Sequence, residues 1–302
     1  MQRLESFIFT WLVLSHRLMT EVQLLGAQDI RRLATALDVS PTKKWGQNFV
    51  IDPNTVRRIV EQAHVESDDV VVEIGPGLGS LTLPLLERAA HVVAIEIDPR
   101  LAQQLPLTVG EFAPSRSANL TVVNQDALTV DSLGLAPTKL VANLPYNISV
   151  PVVLHMLEMF NSINEVLVMV QLEVADRLAA KPGSKIYGVP SVKASWYGDV
   201  SKAGNVGRNV FWPAPNVDSG LVRIVRRDTP GDESLRKDVF AIVDSAFGQR
   251  RKTLRTALGA ALGAPARVDE ILAIADIDSS LRGEQINLDD FVAIAKAAKE
   301  VQ

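Results

Sequence analysis

From Val70 onward the chain repeats one pattern: a short apolar run followed by an amphipathic stretch. The runs are Val70 to Ile74, Val92 to Ile97, Leu120 to Asn124, Lys139 to Asn143 and Val166 to Gln171. Strands apolar along their whole length are buried on both faces, which needs helices above and below the sheet and favours parallel pairing. The pattern therefore predicts a doubly wound α/β sheet. Upstream, Ala27 to Leu37 has helix-compatible spacing with Arg31 and Arg32 outward. Asp52-Pro53 is an N-cap followed by proline at the first helical position, opening a helix through about Ala63. Pro106 to Ala118 is expected as a surface insertion, and Ser219 to Val225 as the last strand. From Leu235 the text is helical only, so a second, all-α domain is expected there. Domain limits follow as 1–18 for an extension, 19–228 for the α/β domain with its N-terminal helical and loop arm, and 229–302 for the helical domain.

In such a sheet, ligands bind at the carboxyl ends of the strands, so the residues that follow each run carry the functional information. The first run enters Gly75-Pro76-Gly77-Leu78-Gly79, a turn in which Gly75 and Gly77 let backbone pass close to a ligand. Its E-x-G-x-G-x-G spacing departs from the pyrophosphate fingerprint G-x-G-x-x-G. The second run ends in Glu96-Ile97-Asp98, where an acid can accept from both ribose hydroxyls. Glu96 is favoured for that task and Asp98 for an N-cap before Pro99. The third ends in Asn124-Gln125-Asp126, a carboxylate placed for an adenine amino group or simply a turn acid.

The fourth run ends in Asn143-Leu144-Pro145-Tyr146. An Asn oxygen and a neighbouring carbonyl suit a flat exocyclic amine, and Tyr146 suits stacking on its ring, so the amine of a nucleobase, adenine above all, is the implied substrate. The bland alternative is a turn whose Tyr caps the core. Phe211, ahead of a Pro-rich turn, divides likewise between base stacking and core packing.

Composition narrows the chemistry. The 302 residues include no Cys, which excludes disulfides, thiol nucleophiles and thiolate metal sites, and the four His (His16, His64, His91, His155) show no ligand spacing. No metal is expected. A net charge of −4 argues against bulk-charge coating of nucleic acid, so RNA contact must rest on local patches. The candidates are Arg250-Arg251-Lys252 with Arg255, expected at helical spacing beside Phe247 and Gln249, and Lys43 with Lys44 beside Trp45. Without other information such charge runs are solvated faces more often than contacts. The apolar stretch Phe7 to Leu14 is too short to span a bilayer and lacks a cleavage site, so residues 1–18 are expected to be an upstream extension without a role or the result of a misplaced start.

Read in order, KKWGQNFV, VVEIGPGLGSLT, VVAIEID, NQDAL, NLPYNIS, FWPAPNVDS and AFGQRRKTLR resemble the ribosomal RNA adenine dimethyltransferase family (KsgA-like), S-adenosylmethionine-dependent methyltransferases of Rossmann-like class I fold. The resemblance runs from about Lys43 to Arg255, with an echo in LRGEQINLDDF. It implies dimethylation of two adjacent adenines near the 3′ end of 16S ribosomal RNA in the cytoplasm, with no membrane and no obligate protein partner. By the same resemblance, Asn48, Val50, Gly75, Gly77, Glu96, Asp126 and Asn143 contact the donor. Asn143, Leu144, Pro145, Tyr146 and Phe211 form the target-base pocket, and the two cation patches contact RNA phosphates. The family usually has Leu where this chain has Val50. Three rivals stand beside this: the large-subunit adenine methyltransferases of the antibiotic-resistance type, a DNA adenine methyltransferase, and a factor acting chiefly in ribosome assembly. FGQRRKTLR and the helical tail favour the small-subunit enzyme, and nothing resembles a DNA sequence-reading module.

Overall fold

The computed structural model describes residues 21–38, 48–146 and 148–301. The extension over 1–18 and the candidate RNA contacts Lys43 and Lys44 lie outside them. The chain divides into two compact units, Met1–Gln171 with Gly204–Leu221, and Leu172–Ala203 with Val222–Gln302.

The first unit opens with α1 (Ala27–Ala36), β1 (Phe49–Val50) and α2 (Pro53–Gln62), the last capped as expected by Asp52, which accepts from the Thr55 amide at 3.0 Å. Its sheet is formed by β2 (Val70–Ile74), β3 (His91–Ile95), β4 (Leu120–Val123), β5 (Lys139–Asn143) and β6 (Glu165–Gln171). These pair in parallel in the order 4-3-2-5-6. The crossovers are α3 (Thr82–Arg88), α4 (Pro99–Phe112) and, between β5 and β6, α5 (Ser149–Met159). Val71, Val72, Val92, Val93, Leu140 and Val141 are fully buried, which is why these runs carry no polar alternation. The order reverses between β2 and β5. A crevice therefore opens at their carboxyl ends, where the register aligns Ile74 with Ile95, Ile95 with Val123 and Asn143 with Met169.

Pro106 to Ala118 is not an insertion. Pro106 lies inside α4, and a short 3₁₀ helix, Pro114–Asn119, leads into β4. Leu101, Leu105, Val109 and Phe112 are buried along one face of α4. At about 1.5–3 kcal/mol each, they outweigh the penalty of about 3 kcal/mol for an interior proline.

The second unit contains α6 (Leu172–Leu178), α7 (Val189–Tyr197), α8 (Glu233–Gly248), α9 (Leu254–Ala257), α10 (Gly259–Leu262), α11 (Pro265–Ile274) and α12 (Leu288–Glu300). Leu172–Ala203 belongs to this unit, where it packs with the C-terminal helices. Trp196 meets Phe240 edge-on at 6.1 Å, Tyr187 meets Phe247 at 5.9 Å, and Phe247 meets Phe291 at 6.2 Å. Of three more strands, β8 (Phe211–Trp212) lies in the first unit, while β7 (Gly198–Val206) and β9 (Ser219–Arg226) have residues in both. β9 and β7 complete the seven-stranded order 4-3-2-5-6-9-7. The sequence pattern does not reveal β7, because GDVSKAGNV has largely exposed polar residues and no apolar run. β8 pairs antiparallel with β1, Val50 opposite Phe211. Among the described residues, no helix is long and apolar enough to cross a membrane.

Candidate active site

A cavity of about 240 Å³ occupies the crevice at the switch point, and the ends of β2, β3, β4 and β5 line it together with Asn48, Phe49 and Val50. Gly75 leaves β2 with its amide bonded to the Ile95 carbonyl at 2.9 Å and with φ +66°. Gly77 has φ +58°, and a Cβ there would stand 2.9 Å from Phe49 Cε1. Both the backbone conformation and the space beside Phe49 therefore demand glycine.

Glu96, 5% exposed, is held from both sides. The Gly77 amide donates to its Oε2 at 3.2 Å and the Asp98 amide to its Oε1 at 3.0 Å. Burial pushes its pKa up, the amides of Asp98 and Gly77 oppose the rise, and the charge of Asp98 adds to it. Asp98 takes the other role expected for it. It caps α4 through the Arg100 amide at 2.9 Å, and its pairing with the Arg100 guanidinium lowers its pKa. Asp126 lines the cavity while its Oδ1 accepts from the Leu128 amide at 2.9 Å, so one carboxylate both shapes the turn and borders the site.

At the end of β5 the Asn143 Nδ2 donates to the Asn48 carbonyl at 3.1 Å, which fixes the amide plane. The Asn143 Oδ1 takes no partner among the described residues and is left to accept. The Leu144 amide donates to the Met169 carbonyl at 3.0 Å, and the Pro145 carbonyl accepts from Ile148 at 3.3 Å. The Leu144 carbonyl accepts no bond from the backbone of the described residues and is open as a second acceptor. Half-buried Tyr146 bonds through its hydroxyl to Ser219 Oγ at 3.1 Å. Burial raises its pKa, Ser219 opposes this, and Asp218 adds to it.

Phe211 does not border the cavity. It is 3% exposed, in β8 opposite Val50, and so backs the strand that does. The cations also differ from the expected helical face, because α8 stops at Gly248 and Arg250, Arg251 and Lys252 lie in the turn that follows. Arg250 pairs with Glu284 at 2.8 Å and also donates to the Lys185 carbonyl, and Arg255 pairs with Asp269 at 2.9 Å. Both acids lie further along the chain, outside the local run of cations. Arg251 and Lys252 are exposed and have no carboxylate partner among the described residues.

Glu73, Ser80 and Ile97 are not singled out by sequence reasoning, yet they line the cavity. Glu73 is 2% exposed and its Oε2 is buried without a hydrogen-bond partner, as is Ser80 Oγ. Burial pushes the Glu73 pKa up to about 8, the nearby Thr82 hydroxyl opposing the shift and the charge of Glu96 adding to it. Ile97 remains 46% exposed, an apolar edge open to a flat ring. The acid of the E-x-G-x-G-x-G pattern is the signal that could have found Glu73.

An adenosyl sulfonium donor fits these residues: acids that can accept from hydroxyl and amino groups (Glu96 buried, Asp126 partly exposed), a glycine cradle that a Cβ would fill, and an orphaned buried carboxylate oxygen for a cation. Sheet order, glycine turn and the acids at successive strand ends define a Rossmann-like, S-adenosylmethionine-dependent methyltransferase. Residues 40–300 match the ribosomal RNA adenine dimethylase family, and the chain belongs to it. It is 62% identical over 277 residues to the ribosomal RNA small subunit methyltransferase A of Corynebacterium glutamicum, covering 90% of this chain and 94% of that protein. Against the protein of the same name from Streptomyces griseus it is 60% identical over 280 residues, 92% and 96% of the two chains. Among solved structures it resembles a dimethyladenosine transferase from Plasmodium falciparum in fold, with TM-score 0.69 and 24% identity over 80% of this chain and 94% of the other. The 23S rRNA methyltransferase ErmE aligns with TM-score 0.64 and 27% identity, over 83% of this chain and 100% of the other.

Proposed function

We propose that the protein dimethylates two adjacent adenines near the 3′ end of 16S ribosomal RNA within the small subunit, acting in the cytoplasm. The observation that carries this is the Asn143 amide, whose nitrogen is spent on the Asn48 carbonyl while its oxygen stays free beside the donor cavity. That oxygen and the Leu144 carbonyl are acceptors suited to the two N–H groups of an exocyclic amine.

The adenine amino nitrogen is a weak nucleophile because its lone pair is conjugated with the ring. Accepting its N–H bonds out of the ring plane (two before the first transfer, one before the second) favours a pyramidal nitrogen with a free lone pair. Each C–N bond formed is matched by cleavage of the donor's methyl–sulfur bond to a neutral thioether, with one proton released from the nitrogen to solvent. The donor supplies a methyl group on a sulfonium sulfur. Glu96 and Asp126 orient the adenosyl part, and Glu73 supplies a carboxylate to its cationic end. The residues contribute chiefly orientation, which supplies up to about 7–11 kcal/mol in well-aligned cases. Tyr146, held by Ser219, stacks on the extruded base, an interaction worth about 1–3 kcal/mol. Phe211, packed behind Val50, supports the donor arm rather than walling the base pocket.

RNA phosphate contact in the second unit falls first to Arg251 and Lys252, whose charges are free, and less to Arg250 and Arg255, which Glu284 and Asp269 neutralise. Small-subunit RNA is favoured over large-subunit RNA because the relatives at 60–62% identity bear the small-subunit name, against 27% for ErmE. Replacing Asn143 by Ala is expected to abolish methyl transfer while donor affinity, measured by calorimetry, falls much less. Normal turnover in that variant would sink the assignment.

A further inference from the structure

One buried charge has no part in the chemistry above. Lys139, at the first residue of β5 and so at the opposite end of that strand from Asn143, has a side chain only 13% exposed. Its ammonium donates to the Ala63 carbonyl at 3.1 Å, the His64 carbonyl at 2.7 Å and Glu165 Oε2 at 3.1 Å, with Asp69 Oδ2 at 3.7 Å. Asp69 is fixed in turn by the Thr138 hydroxyl at 2.7 Å and the Glu66 amide at 2.8 Å.

The two carbonyls belong to the C-terminal end of α2. Ala63 is its C-cap, and His64, at φ +48°, turns the chain out of the helix. A lysine there satisfies carbonyls left open by the helix and complements the negative end of its dipole. The N-terminal end of α2 follows directly on Asn48–Val50, the segment that borders the donor cavity, and the Asn48 carbonyl accepts from Asn143. Strand β5 therefore holds α2 and its leading arm at both ends. The lengths agree: four residue steps along a strand cover about 13 Å, and ten residues of helix about 15 Å.

We infer that Lys139 is a positioning residue, which clamps the far end of α2 and thereby sets Asn48–Val50 over the donor. This deepens the assignment of that arm to the donor site and rests on it. A buried ion cluster adds little stability over an apolar plug of the same volume. What the ammonium adds is direction, three donors aimed at one helix end and one strand.

The test reads the free protein first. The Ile51 amide, just after the arm, donates to the Val210 carbonyl, and the Leu144 amide donates to Met169 within the sheet. In Lys139→Met, hydrogen exchange at Ile51 is expected to rise roughly tenfold while Leu144 stays protected. The donor KM is expected to rise by about the same factor, with kcat little changed at saturating donor. Lys139→Arg, which keeps the donors, should restore both. Should Lys139→Met fail to fold because Glu165 and Asp69 lose their lysine, Lys139→Met with Glu165→Gln carries the same expectations. Unchanged protection at Ile51, or equal loss at Ile51 and Leu144, overturns the inference. Selective loss at Ile51 with donor affinity unchanged supports the clamp and overturns instead the donor assignment of Asn48–Val50.

Discussion

Glu73 offers a quantitative test of the electrostatics at the site. In the folded protein burial holds its pKa at about 8, and in the unfolded chain it returns to its ordinary value of 4.5. Between those pH values the native state keeps a proton that the unfolded state has released, so stability contributed by the neutral carboxyl is fully present below about 4.5 and is lost as pH rises through 8. At about 1.36 kcal/mol per pH unit the whole window is worth on the order of 5 kcal/mol, with relaxation and water entry lowering what is measured. Glu73→Gln keeps the shape and removes the ionisation. Urea unfolding of donor-free protein at about pH 5 and about pH 8.5 should therefore show the variant gaining several kcal/mol relative to wild type at the higher pH. An identical difference between the two proteins at both pH values would refute the claim that Glu73 is buried and neutral. A cation beside Glu73 favours its charged form, so donor binding near pH 7 should release a proton from wild type and none from Glu73→Gln, which calorimetry in buffers of different ionisation enthalpy detects.

Ser219→Ala removes the hydroxyl that holds Tyr146 and should cost about 1 kcal/mol, roughly a fivefold loss in transfer with donor affinity unchanged. Tyr146→Phe should cost about the same, and the double variant no more than either, as a double-mutant cycle on methyl transfer would show. Gly77→Ala places a methyl group 2.9 Å from Phe49 at a left-handed backbone position, and donor affinity by calorimetry should fall at least about tenfold. Replacing Arg251 and Lys252 with Gln should lower the slope of RNA affinity against salt by roughly 0.7–0.9 for each phosphate that is no longer neutralised. Arg250→Gln and Arg255→Gln should change that slope less, because Glu284 and Asp269 already neutralise those charges.

The α/β sheet was legible because parallel strands buried on both faces are apolar throughout, and each expected run became a strand within a residue or two at either end. The residues expected at the candidate site after those strands meet for the same reason: Gly75, Glu96, Asp126 and Asn143 line one cavity because the register aligns the strand ends. Features that depend on partners distant in sequence were not legible. Trp196 and Tyr187 join the C-terminal helices through Phe240 and Phe247, which no periodicity within Leu172–Ala203 displays. Pro106 suggested a break, and only the buried face of α4 shows why the helix continues. Arg250 and Arg255 read as free cations because Glu284 and Asp269 lie further along the chain. Phe211 backs Val50 through a two-residue strand pair too short to leave a pattern.

The most direct measurement is transfer of labelled methyl groups from S-adenosylmethionine to small ribosomal subunits, large subunits and DNA in parallel, followed by digestion to nucleosides. Dimethyladenosine from small subunits alone is the expected result. Label on large subunits or DNA instead, or none on any of them despite donor binding, would contradict it.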